Sequence, residues 1–197
     1  MRRAEVWGIT PDLWPPEATR QAIQDALADG IDRVIVRERR LPVATRHALL
    51  GSLLDAGLAA DRVLLRIGPD DPAPPDGWSV HLADGVPPPP GARPLVSAAV
   101  HHTFLVPEHA DWLVVSPFAT PISKTGMSPP LGPRGLQPFL GTRPVVALGG
   151  ITPMNAPRAL AAGARAVASI GTVFLHGSGA RRRLVAAVQA FPSREPG

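Results

Sequence analysis

The sequence predicts one α/β domain built as a (β/α)8 TIM barrel with degenerate crossovers after strands three and four. Three observations lead there. Eight short apolar, β-branched runs are spread along the 197 residues. Several of these runs are apolar throughout instead of alternating, as strands covered on both faces are in a parallel sheet. Four stretches with apolar residues at helical spacing lie among them, and three of those end in a glycine turn that leads into the next run.

The first strand is read at Glu5–Ile9 (EVWGI), with a helix over Pro16–Asp29 and a turn at Asp29-Gly30. The second, Arg33–Arg37 (RVIVR), precedes a helix over Val43–Ala56 that closes on Gly57. The third and fourth, Arg62–Ile67 and Trp78–Leu82, are joined by GPDDPAPPDG, and ADGVPPPPGARP leads on to the fifth, Pro94–Val100. Neither connection can hold a full helix, because proline lacks the N–H and restricts the residue before it. Short loops or single turns are expected there. The sixth to eighth strands are Trp112–Ser116, Pro144–Leu148 and Ala166–Ile170, with helices over Pro153–Ala162 and Gly179–Ala190 after the last two. A doubly wound open sheet is the alternative, and eight evenly spaced strands without a G-x-G-x-x-G turn argue against it.

Composition narrows the function classes. The length suits one domain over 1–197, with about 191–197 as a frayed tail. The 25 prolines collect in connections, so they do not signal disorder. With no cysteine there is neither a disulfide framework nor a thiolate metal site. No window is long and apolar enough for a membrane span, and the N-terminus has no apolar stretch of signal-peptide length, so a cytoplasmic protein is expected. The sequence pI near 11.1 reflects 19 arginines against one lysine; the formal net charge is only +4, and the arginines are dispersed among few aromatics. Nucleic-acid and membrane partners are not expected. A homo-oligomer stays open.

In a barrel of this type the active site is built at the C-terminal ends of the strands. The Gly149-Gly150 pair after the seventh strand and Ile170-Gly171 after the eighth form two small-residue turns in the loops that commonly hold a phosphate through backbone N–H groups. The long loop from Ser116 to Gly132 carries the only lysine of the chain, Lys124, a point charge suited to a phosphate or diphosphate. Arg37 and Arg39 at the end of the second strand fall on one face by alternation, with Glu38 on the other, and could clamp an anion. His101 and His102 follow the fifth strand, where a general acid or base could sit; His81 reads as a hydrogen-bonded barrel residue.

These segments, in order and spacing, resemble the thiamine-phosphate synthase and thiazole tautomerase (TenI-like) family over nearly the whole chain. GITPD is similar to its I-T-D opening, and RVIVRER to its strand-two R-E-K or R-E-R motif. SVHLADG is similar to G-V-H-L-G-Q-D, LVSAAVHH with Ser97 to G-x-S-x-H, and SPFATPISK to G-P-x-F-P-T-x-T-K. VVALGGITPMN, with the only asparagine Asn155, and GARAVASIGTVF complete the series.

The resemblance implies an enzyme that joins hydroxymethylpyrimidine diphosphate to thiazole phosphate and releases diphosphate. Arg37, Ser123 and Lys124 would then serve the diphosphate, and Gly149, Gly150, Ile170 and Gly171 the thiazole phosphate. It also implies Mg2+, but the family's Asn-Asp at the end of strand three falls on Arg66-Ile67. The acidic residue after strand four falls near Gly85, which leaves Asp84 one position away as the remaining metal candidate. The tautomerase branch needs neither metal nor diphosphate pocket, yet its histidine after strand six falls on Pro117. A barrel that binds a phosphorylated ligand without turnover is the third reading.

Overall fold

A computed structural model describes residues 3–91, 93–101, 108–120 and 129–192. Eight parallel strands close in chain order: β1 (Glu5–Ile9), β2 (Arg33–Val36), β3 (Val63–Ile67), β4 (Ser79–Leu82), β5 (Val96–Val100), β6 (Trp112–Val115), β7 (Val145–Leu148) and β8 (Ala166–Ser169). Closure is made where β1 pairs with β8 as well as with β2, Trp7 lying level with Ala168 and Arg33. The helices are α1 (Pro16–Ala28), α2 (Val43–Asp55), α3 (Ala156–Ala161) and α4 (Gly177–Gln189). The proline-rich crossovers on either side of β4 carry no helix, as their composition predicts.

Local chemistry accounts for the helix limits. Proline leads α1 at its first position, where a missing N–H costs nothing, and Gly30 at φ 97° ends it in the left-handed region. α3 begins at Ala156, three residues later than the apolar spacing predicts. The Asn155 side chain explains the delay: its oxygen accepts the Thr152 N–H at 2.8 Å and its amide donates to the Gly150 carbonyl at 2.8 Å. These bonds hold 150–155 as a turn in competition with helix. A π-helical turn over Gly171–Leu175, which nothing in the sequence announced, leads from β8 into α4.

Two layers of apolar side chains result. Outside the strands, Ile23 of α1, Leu49, Leu50 and Leu53 of α2 and Leu184 of α4 are buried against the sheet. Each contributes roughly 1.5–3 kcal/mol if fully buried. Inside the barrel, Trp7, Ile9, Ile35, Leu64, Val114 and Val146 meet Ala166 and Ala168. The two alanines of β8 leave the room that the fully buried Trp7 indole occupies. Trp7 packs on Trp112 with ring centroids 5.1 Å apart, and the Arg33 guanidinium lies 5.4 and 5.7 Å from the two rings while pairing with Glu5. This aromatic plug closes the N-terminal end of the barrel. At the outer rim, Arg181 of α4 joins Asp29 at the end of α1 through bonds of 2.8 and 2.5 Å, tying the last helix to the first.

Candidate functional site

Period-two alternation carries the inward row of each strand upward to the C-terminal mouth. β2 presents Arg33, Ile35 and, just past its end, Arg37; β3 presents Leu64 and Arg66; β4 presents Ser79 and His81. Arg66, His81 and Ser97 are level with one another across β3, β4 and β5. The barrel therefore changes character along its axis, from an apolar and aromatic base to a polar, cationic mouth.

The cationic end lies at β2 and β3. Arg37 is half-buried, its backbone N–H donates to Thr10 Oγ1 at 2.8 Å, and its side chain has no hydrogen-bond or ion-pair partner among the described residues. Burial first, then repulsion from Arg39 and Arg66, holds its guanidinium below the ordinary value. β2 ends at Val36, so the pleat that was expected to align Arg37 with Arg39 does not reach Arg39. Arg39 is more than half exposed and stands 3.6 Å from Asp12, which sits at φ 64° and accepts the Arg40 N–H at 3.0 Å. Glu38 is buried; it takes the Thr10 hydroxyl and the Asp12 N–H, and burial pushes its carboxyl up. Arg66 lies 3.8 Å from Asp71, whose carboxylate is bonded by Arg46 at 2.5 and 3.1 Å and by the Gly68 N–H at 2.7 Å.

The next sector holds two imidazole–hydroxyl pairs. His81 is buried with Nδ1 2.9 Å from Ser97 Oγ, as its position within an apolar strand suggested. Burial above all, helped by Arg66, His101 and Arg37, lowers its pKa to about 3, so the ring is neutral at ordinary pH. His101 follows β5 with Nδ1 2.8 Å from Ser116 Oγ, a partner that sequence reading missed because it stands 15 residues away, just past the neighbouring strand.

At β7 and β8 the mouth is made of backbone. Gly149 and Gly150 have φ of 99° and 62°, and the N–H groups of Gly149, Gly150 and Gly171 donate to nothing among the described residues. A Cβ on Gly149 would stand 2.9 Å from Pro117 Cα, and one on Gly150 2.7 Å from the Ala119 carbonyl. Glycine is thus required twice over, for conformation and for closeness. Thr172 Oγ1 donates to the Ile151 carbonyl at 2.8 Å, binding the two turns together, and Ile170 leads the π-helical turn. The β7 turn is also bonded to the β6 loop, the Phe118 and Ala119 N–H groups donating to Leu148 and Gly149 at 2.7 and 2.9 Å.

The structure thus brings Arg37, Arg39, Arg66, His81, Ser97, His101, Gly149, Gly150, Ile170 and Gly171 to one end of the barrel. Ser123, Lys124 and His102 lie outside the described residues. Asp84 is exposed on the loop after β4. For Mg2+ the donors do not fit: among the described residues no three His, Asp or Glu side chains gather to hold a metal, and Arg66 occupies the end of β3. No helix is long and apolar enough to cross a membrane.

Residues 98–173 match the family model described as thiamine monophosphate synthase. No curated protein matches the sequence. Among solved structures the chain is similar to a thiamine phosphate pyrophosphorylase from Pyrococcus furiosus, at 19% identity over 96% of this chain and 98% of that one, with a TM-score of 0.67. It is similar to another from Bacteroides thetaiotaomicron, at 17% identity over 93% and 96%, with a TM-score of 0.64. A third likeness is (S)-3-O-geranylgeranylglyceryl phosphate synthase from Thermoplasma acidophilum in complex with sn-glycerol-1-phosphate, at 13% identity over 95% and 93%, TM-score 0.61. At these identities the structural likeness shows the barrel fold. The family match over 98–173 and the likeness of the barrel together support the resemblance to the thiamine-phosphate synthase/TenI-like family.

Proposed function

We propose that this single-domain chain is a thiamine-phosphate synthase-like enzyme that joins hydroxymethylpyrimidine diphosphate to thiazole phosphate with release of diphosphate. One observation carries the reading: the mouth offers two unlike places for anions. Guanidinium groups gather at β2–β3, and glycine N–H groups that donate to nothing among the described residues line the turns after β7 and β8. A coupling of two phosphorylated partners calls for both. The thiazole nitrogen lone pair forms the new C–N bond to the pyrimidine methylene as the methylene–oxygen bond breaks, its electron pair leaving on the diphosphate. Fixed positive charge at the leaving oxygens lowers the barrier of that step most where water is excluded, and Arg37 is half-buried and unpaired among the described residues. By the family motif, Ser123 and Lys124 add donors to the diphosphate, and Gly149, Gly150, Ile170 and Gly171 seat the thiazole phosphate.

A second reading rests on His101. It is exposed at the mouth, with Nδ1 engaged by Ser116 and no partner for the other ring nitrogen among the described residues, which suits a TenI-like thiazole tautomerase. Mixing the two synthase substrates and measuring diphosphate release, with Mg2+ and with EDTA, tests the proposal; release in either condition is expected. Aromatisation of the thiazole carboxylate phosphate alone supports the tautomerase. Calorimetric binding with neither turnover marks a barrel that binds its ligand only.

A further inference from the structure

The β2–β3 end of the mouth departs from a metal-assisted site in the charge it presents. Four guanidinium groups lie there, those of Arg37, Arg39, Arg46 and Arg66, against the carboxylates of Asp12, Asp71 and Glu38. Each carboxylate is already engaged: Asp12 by Arg39 and the Arg40 N–H, Asp71 by Arg46 and the Gly68 N–H, Glu38 by Thr10 and the Asp12 N–H. Each is turned to a guanidinium, hydroxyl or N–H neighbour, and an approaching cation meets Arg37 and Arg66.

Arg66 is placed by its surroundings. Asp71, held fast by two bonds to the buried Arg46, stands 3.8 Å from Arg66 Nη1, close enough to orient it and too far to hydrogen-bond it. Gly68 makes room, since a Cβ there would lie 2.7 Å from Nη1. The neighbour level with Arg66 on β4 is the neutral His81, which adds no opposing charge. We propose that the β2–β3 end of the mouth is a metal-free diphosphate subsite in which the Arg66 guanidinium, steadied by Asp71 and Gly68, takes the place a divalent cation would hold. The proposal rests on the synthase-like reading for the identity of its natural ligand only; a planar guanidinium matches phosphoryl oxygens in pairs, so the subsite is specific for polyphosphate groups whatever they are attached to.

The test is calorimetric titration of inorganic pyrophosphate into the full chain, in EDTA and again in excess Mg2+. Binding in EDTA at least as tight as in Mg2+ is expected. Arg66→Ala should weaken it about tenfold or more, the loss expected for a charge-assisted hydrogen bond. Gly68→Ala should lower affinity in the same direction by displacing Arg66, and Arg66→Lys should recover part of the loss. Arg66→Gln, which keeps length and polarity, reads the same point if the alanine variant does not fold. Arg183→Ala, on the exposed face of α4, removes one charge elsewhere and should leave binding unchanged. Pyrophosphate binding that appears only with Mg2+ overturns the proposal, as does full affinity in a folded Arg66→Ala or Arg66→Gln. Turnover together with Mg2+-dependent pyrophosphate binding would sink this inference and keep the synthase reading. Metal-free binding without turnover would do the reverse.

Discussion

Arg33 opens β2 and Arg37 follows its last residue, four positions on, so the two stand at opposite ends of one barrel. At the base, Arg33 is fully provided for: it pairs with Glu5, donates to the Asp61 carbonyl at 3.0 Å, and lies against Trp7 and Trp112. At the mouth, Arg37 has no such partner among the described residues, and its nearest charged neighbours include Arg39 and Arg66. The same side chain therefore does two kinds of work. One guanidinium holds the fold together, and the other is held by the fold in a state that favours an incoming anion. A satisfied charge contributes to stability; an unsatisfied one is stability forgone for binding.

The contrast can be broken first at the base. Trp7→Ala should destabilise the protein by about 3–5 kcal/mol, the usual cost of truncating a fully buried aromatic, read as a lower denaturant midpoint. Arg33→Ala comes next. It leaves Glu5 mostly buried without its partner, and because some solvent reaches the pair the cost should fall at or below the ~3–5 kcal/mol of a fully buried one. Equal stability of Arg33→Ala and wild type would erase the distinction between the two ends.

Acid should sharpen it from the side of the mouth. His81 is neutral when folded, with a pKa near 3, against 6.5 in the unfolded chain. Below pH 6.5 the unfolded state binds a proton that the folded state refuses. Stability from this group is therefore complete above pH 6.5 and is lost as pH falls toward 3, by about 2 kcal/mol at pH 5. Unfolding midpoints of wild type and His81→Asn across pH 7 to 4 measure the difference, and parallel curves would contradict the burial argument. The smallest effect belongs to Arg37→Ala, which should change stability by less than about 1 kcal/mol in either direction while reducing pyrophosphate affinity.

Much of this organisation was legible before any coordinates. The apolar runs located all eight strands to within two residues, because a strand covered on both faces is apolar at most of its positions. The glycine pair was legible for a related reason, since few other residues suit a positive φ pressed against a neighbouring loop. Arg66 stood out because arginine replaces an acidic motif there. What stayed hidden was what depends on neighbours distant in sequence. The partners of Glu38, Thr10 and Asp12, are some 26 residues away or more and bury it in a way that its place beside two arginines did not announce. Ser116 beside His101 and Arg46 behind Asp71 are likewise products of closure, not of local pattern. The late start of α3 came from one asparagine whose side chain competed with helical hydrogen bonding.

Asn155 has a consequence beyond that helix. It holds the β7 turn from beneath, while the same turn is bonded from the side to Phe118 and Ala119 and touches Pro117 and Thr120. On the far side of the β6 loop, the Leu131 and Gly132 N–H groups bond back to the Pro117 and Phe118 carbonyls at 2.8 and 3.0 Å. The turn after β7 and the base of the loop after β6 are thus one bracket, and ligands that load either arm share it. Two such ligands cannot bind independently if either shifts the bracket. Whatever factor the first imposes on the affinity of the second is imposed by the second on the first, so the coupling is the same whichever arrives first.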